Sequence, residues 1–219
     1  MDSPMICLSV AAYTTEHVLK AIRLNSPDLY ELRLDYQTCP IDLEEVRATT
    51  DAPLVATNRG VRGGRDENNR VALLLEASRV GYDYVDLEAE CATLLEASGE
   101  IHGNGSRLIV SHHDAGSTPS HAAMRGLLDT SKRVGGDICK IVGTARSYGD
   151  NLVYLRFLAD NPGNICFGMG QHGVLSRVMC PLLGGAFTYA STAAGEECAP
   201  GQLTLDRMRD VYRLMGVHG

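Results

Sequence analysis

Lys140 interrupts the apolar run Ile138-Cys139-Lys140-Ile141-Val142, where a charge costs heavily in desolvation unless it is lowered or paired. Burial depresses an amine's pKa and frees it as a nucleophile toward a carbonyl. The other reading is a strand-end lysine whose stem packs while its head reaches water. His112 and His113 close the run Leu108-Ile109-Val110-Ser111 and precede Asp114. Imidazole titrates near neutrality and can both take and give a proton; one of the pair is expected to be a hydrogen-bonded structural residue. No second histidine or carboxylate follows at His-x-x-x-His spacing, so no metal site is expected.

Glu31 and Arg33 lie two apart in Tyr30-Glu31-Leu32-Arg33-Leu34-Asp35, which puts both on one side of a strand, with Asp35 continuing the row. The row is either a solvated face or a paired polar cluster inside a barrel mouth, and a strand covered on both sides favours the cluster. Arg59 precedes a glycine-rich loop, Gly60 to Arg65, and Arg177 follows Gly168-Met169-Gly170-Gln171-His172-Gly173-Val174-Leu175-Ser176. Guanidinium groups so placed suit carboxylates or phosphates, yet each taken singly reads more readily as a surface arginine. The loop matches neither the Walker pattern nor the dinucleotide fingerprint. Ala199-Pro200-Gly201-Gln202, taken alone, is a turn.

These residues need elements to hold them. Apolar or β-branched runs recur at Ile6–Val10, Leu29–Leu34, Leu54–Thr57, Tyr82–Leu87, Leu108–Ser111, Ile138–Val142, Ile165–Phe167 and Ala186–Tyr189, giving eight candidate strands. Helical spacing with caps separates several of them: Thr15 before the Val18/Ile22 stripe, Thr118-Pro119 opening Ala122–Val134, Asn69–Val80, Tyr148–Ala159, Val174–Leu183, and Thr204–Met215. Strands that read as continuous apolar runs and alternate with helices imply a parallel sheet covered by helices. Eight repeats point to a compact α/β chain, a (β/α)8 TIM barrel with eight parallel strands; a doubly wound open sheet is the alternative. No linker or composition shift interrupts residues 1–219, so a single domain is expected. In a barrel, the chemistry lies at the carboxyl ends of the strands, where His112, His113 and Arg59 fall.

The 219 residues are 44% hydrophobic, ordinary for a protein that buries a real core, and the net charge of -7 contains no block of like charges. Neither a nucleic-acid groove nor a basic membrane surface is suggested, which leaves a small-molecule substrate as the expected partner. Seven cysteines are scattered without a C-x-x-C pair, the usage of a reducing cytoplasm. The opening Met-Asp-Ser-Pro lacks a basic region followed by an apolar core, and no apolar run approaches the roughly 20 residues that span a bilayer, so neither export nor membrane insertion is expected.

In order, these segments resemble the type I 3-dehydroquinate dehydratase family along nearly the whole chain. The family's Glu-x-Arg-x-Asp strand looks like Glu31 to Asp35. Its Ser-x-His-Asp, followed by Thr-Pro, matches Ser111-His112-His113-Asp114 with Thr118-Pro119; its Lys-Ile falls on Lys140-Ile141. Its Gly-x-x-Gly-x-x-Ser-Arg falls on Gly170 to Arg177, and its Ala-Pro-Gly-Gln on Ala199 to Gln202. The resemblance implies a lyase of the shikimate pathway, and so of aromatic amino-acid biosynthesis, that dehydrates 3-dehydroquinate in the cytoplasm. Lys140 would form a Schiff base, His113 rather than His112 would move the protons, and no cofactor would be needed. Glu31, Arg33, Arg59, Arg177 and Gln202 would hold the substrate's carboxylate and hydroxyls, with Ser9 at the end of the first strand a further candidate. Family members are often dimers, so a homodimer is the implied state.

Two departures accompany the resemblance. After Arg59 the loop is one residue shorter than the family's and places Arg62 where the family carries a glutamate that partners the catalytic histidine. Cys198 stands where many members carry a substrate-binding serine, and a thiol is the poorer donor. Two other functions compete: a lysine-imine aldolase with its phosphate cradle in Gly168 to Gly173, and a catalytically idle relative that binds a shikimate-like acid.

Overall fold

The computed structural model describes residues 3–60 and 66–217. Eight strands appear, β1 Ile6–Ala11, β2 Leu29–Arg33, β3 Leu54–Thr57, β4 Tyr84–Glu88, β5 Arg107–Asp114, β6 Ile138–Thr144, β7 Ile165–Met169 and β8 Thr188–Ser191, in the order β7-β6-β5-β4-β3-β2-β1-β8. Every pairing is parallel. The remaining seam, between β7 and β8, is tied below the strands by Gly163 N–H donating to Gly184 O (2.7 Å) and Ala186 N–H donating to Asn164 O (3.0 Å). The sheet is a nearly closed barrel, which settles the choice against an open doubly wound sheet.

Eight α-helices follow the strands: α1 Thr15–Leu24, α2 Leu43–Thr49, α3 Glu67–Arg79, α4 Leu94–Gly103, α5 His121–Arg133, α6 Asn151–Asp160, α7 Val174–Met179 and α8 Leu205–Leu214. Two caps shift from their expected positions. Thr14, not Thr15, caps α1 by accepting from His17 N–H, and Ser120 caps α5 through Ala123 N–H, leaving Thr118-Pro119 in the loop before it. The expected helix 174–183 stops at Met179, because Pro181 lacks the N–H a continuing helix needs.

Helices cover the outside, so both faces of β1 and β3 are buried throughout, and alternate residues divide between two environments. Leu8, Val10, Tyr30, Leu32, Leu54, Ala56, Val85, Leu108 and Val110 join the helix stripes in the outer core. The other parity faces the barrel axis. Its lower layer includes Cys7, Leu29, Val55, Ile109, Ile138 and Phe187, an apolar floor. One step toward the carboxyl ends the same parity gives Ser9, Glu31, Thr57, Asp86, Ser111 and Lys140, all buried and polar, and one further gives Arg33 and His113. The polar interruptions in the apolar strand sequences are thus one layer of the barrel interior.

Candidate active site

Lys140 on β6 is 4% exposed. It is not the bare buried amine that its apolar sequence suggests: Nζ lies 2.9 Å from Asp86 Oδ2, 3.5 Å from Glu31 Oε1 and 4.0 Å from the centroid of the Tyr189 ring. Asp86, fully buried on β4, also accepts from Ser111 Oγ (2.6 Å) and faces Arg59 Nη2 at 2.7 Å. Desolvation alone would raise its pKa; Arg59, Lys140 and His113 outweigh it and hold the carboxyl below the usual range. Glu31 shows the same contest, with Lys140 and Arg33 prevailing over desolvation. It accepts from Ser9 Oγ (2.7 Å) and Thr57 Oγ1 (2.8 Å). Both acids are fixed anions rather than proton carriers.

Arg33 is clasped by Asp35 through two hydrogen bonds of 2.9 and 2.8 Å and donates to Cys198 O (3.3 Å). Asp35 sits in a 3-10 turn, Leu34–Tyr36, just past the end of β2, so the expected row of charges bends at its third member. Arg59 is turned into the barrel, donating to Ser111 Oγ (2.7 Å) beside Asp86. Ser9, fully buried, lies below the mouth: besides donating to Glu31 it accepts from Gln202 Nε2 (3.3 Å), while Gln202 Oε1 receives Cys198 N–H (2.8 Å). Gln202 thereby ties the loop after β8 to the polar layer. Gly201 (φ +79°) packs this loop on Gly170, where a Cβ would collide with the Gly170 carbonyl.

Arg177 on α7 is 1% exposed, its guanidinium stacked 4.4 Å from the Phe167 centroid, and its Nε and Nη2 have no hydrogen-bond partner among the described residues. Desolvation brings its pKa down to about 10, so it stays cationic at neutral pH. A buried cation with unused donors is costly, and a planar carboxylate would satisfy both.

His113 stands at the rim, its ring in contact with solvent. Desolvation by the surrounding protein, with Arg59 and Lys140 adding to it, pushes its pKa well below the ordinary imidazole value, against the pull of Asp86. Because the ring meets solvent, the cations are the durable part of that shift. The result is a neutral imidazole ready to accept a proton. His112 points the other way and pairs through Nδ1 with Glu90, the structural member of the pair. Glu31, Arg33, Arg59, His113, Lys140, Arg177 and Gln202 line one cavity, together with Tyr189, Val142, Phe167, Met169 and Ala199. Arg62 lies outside the described residues.

The model of the type I 3-dehydroquinase family matches residues 6–218. The chain belongs to this family. Among curated relatives, the 3-dehydroquinate dehydratase of Dehalococcoides mccartyi is 33% identical over 97% of this chain and 96% of its own. That of Desulfotalea psychrophila is 34% identical over 97% and 98%. The solved 3-dehydroquinate dehydratase of Geobacillus kaustophilus superposes with a TM-score of 0.83 at 26% identity, covering 99% of this chain and 92% of that one. Sequence reasoning on this member of the family missed Asp86, Ser111, Thr57 and Tyr189. The signal for Asp86 was available, since it breaks the apolar strand β4 as Lys140 breaks β6.

Proposed function

We propose that this chain is a 3-dehydroquinate dehydratase of the shikimate pathway that converts 3-dehydroquinate to 3-dehydroshikimate through an imine on Lys140, with His113 as the proton carrier. The observation that carries the reading is the buried Arg177, with two unused donors, over the same cavity as a lysine held between two fixed carboxylates. It is a site for a carbonyl compound that bears a carboxylate.

The Lys140 amine, once deprotonated, attacks the ketone, forms the N–C bond and expels the carbonyl oxygen as water. The protonated imine acidifies the neighbouring C–H. Neutral His113 removes that proton, the electron pair moves into the iminium, and the enamine expels the β-hydroxyl, which leaves as water on receiving the proton from His113. Hydrolysis of the conjugated imine returns Lys140. Arg177 anchors the carboxylate, while Glu31, Arg33 and Gln202 meet the hydroxyls and fix the ring for elimination. Arg59 reaches the substrate by leaving Ser111 or acts by holding Asp86 in place.

Residues 1–219 are read as one domain, supported by the family match along almost the whole chain. The cytoplasmic reading draws support from seven cysteines that are all free, and no helix of the described residues is long and apolar enough to cross a membrane. The homodimer rests on the family resemblance. The test is ultraviolet absorbance after 3-dehydroquinate is added: growth of a conjugated-enone band is expected, and binding without that band would leave an idle acid-binding relative.

A further inference from the structure

The Lys140 nitrogen has two kinds of neighbour, the carboxylates of Asp86 and Glu31 and the face of the Tyr189 ring. Tyr189, on β8, is 2% exposed. Edge contacts with Phe187 (centroids 5.4 Å apart) and Phe167 (6.2 Å) fix the plane of its ring. Its hydroxyl is buried without a hydrogen-bond partner among the described residues, and burial raises its pKa well above the usual phenol value, so the ring remains a neutral phenol. We propose that Tyr189 is a further catalytic residue, whose π face holds the positive charge of the Lys140 nitrogen as ammonium and iminium interconvert. The proposal rests on the reading of Lys140 as the imine-forming residue.

Proton counting separates the two kinds of neighbour. A lysine ammonium carries three N–H bonds and a protonated imine one, because attack on the ketone exchanges N–H bonds for bonds to carbon while the carbonyl oxygen leaves as water. Asp86 and Glu31 hold the ammonium through N–H donors, and that grip loosens as the donors are spent; Asp86 keeps Arg59 and Ser111. A ring face needs no donor. It is attracted to the charge itself, most strongly where water is excluded, so its pull survives every protonated state of the nitrogen and vanishes only for the neutral amine. The ring therefore favours the iminium over the neutral amine and the neutral imine, which raises the share of bound substrate held as the protonated imine from which His113 draws the proton.

The experiment replaces Tyr189 with phenylalanine and with phenylalanines bearing one, two and three fluorines, which drain the π face while keeping the ring's shape. Dehydration kcat, borohydride trapping of Lys140 and melting temperature are measured for each. Tyr189→Phe sets the reference for the series, from which kcat is expected to fall stepwise to about tenfold, about 1.4 kcal/mol, without a matching fall in melting temperature. A flat series with the Lys140 adduct still trapped would overturn the proposal and leave the imine intact. So would a tenfold loss already at Tyr189→Phe, which would assign the role to the hydroxyl. An unsubstituted enzyme that dehydrates without any Lys140 adduct would remove the imine reading itself.

Discussion

Replacing Asp86 by asparagine keeps the shape of the side chain and deletes one charge from the centre of the polar layer. In the native protein, one carboxylate oxygen meets Arg59 (2.7 Å) and Ser111 (2.6 Å) and the other meets Lys140 (2.9 Å). An amide oxygen can serve one of the two cations but not both. Two cations, 7% and 4% exposed, would then share Glu31, which reaches only Lys140, at 3.5 Å. Removing one partner of a buried ion pair costs about 3–5 kcal/mol, and for a chain of this length that lowers the melting temperature by about 6–20 °C. The loss has a pH signature. The folded Asp86 carboxyl is held below its ordinary range, so its contribution is complete above the unfolded carboxyl's pKa of about 4 and fades as pH falls below it. Differential scanning calorimetry of both proteins from pH 7 to 3 measures it, with the deficit expected to narrow in acid. A deficit under about 2 °C at pH 7, within one kcal/mol, or one that widens as pH falls, would refute the idea that Asp86 is the counter-ion of both cations.

His113→Ala should lower kcat by about 10²–10⁴ while an adduct on Lys140 can still form. Because native His113 stays neutral to lower pH than an ordinary histidine, the acid limb of kcat/KM should lie below about 6.5, and a limb above it would contradict the role of Arg59 and Lys140 beside the ring. Arg177→Met is expected to cost kcat/KM about 10–100-fold with melting temperature unchanged or raised, since it removes a buried cation whose donors go unused. In the native enzyme KM should climb as pH rises through about 10, where Arg177 loses its charge. Gly143→Ala should destabilise by about 1–3 kcal/mol in urea unfolding, because a Cβ there would lie 2.6 Å from Pro119 Cδ, Ser117 O and Tyr154 Oη, the atoms that seat the loop after His113 on β6.

The barrel was legible because eight apolar runs alternating with helical stripes leave few other architectures, and all eight runs became strands or led into them. Two helices were not. The seven-residue α2 is too short for a convincing period, and α4 carries Gly99 and Gly103 among its ten residues, against helix propensity. Lys140 stood out as a charge inside a long apolar run. Asp86 obeys the same physics but is flanked by Asp83 and Glu88, which makes its strand look solvated at both ends. The parity of β1 decides the place of Ser9: two residues short of the strand end, it faces the axis one layer below Arg33 and braces Glu31. Partners that come from distant strands, such as Tyr189 beneath Lys140, follow from closing the barrel and from no local pattern.

Borohydride reduction with 3-dehydroquinate present, followed by peptide mass spectrometry, decides whether Lys140 forms the imine. A stable adduct is expected on the peptide that contains Lys140 and none in Lys140→Met. An active enzyme that yields no adduct, or an adduct on another lysine, would contradict it.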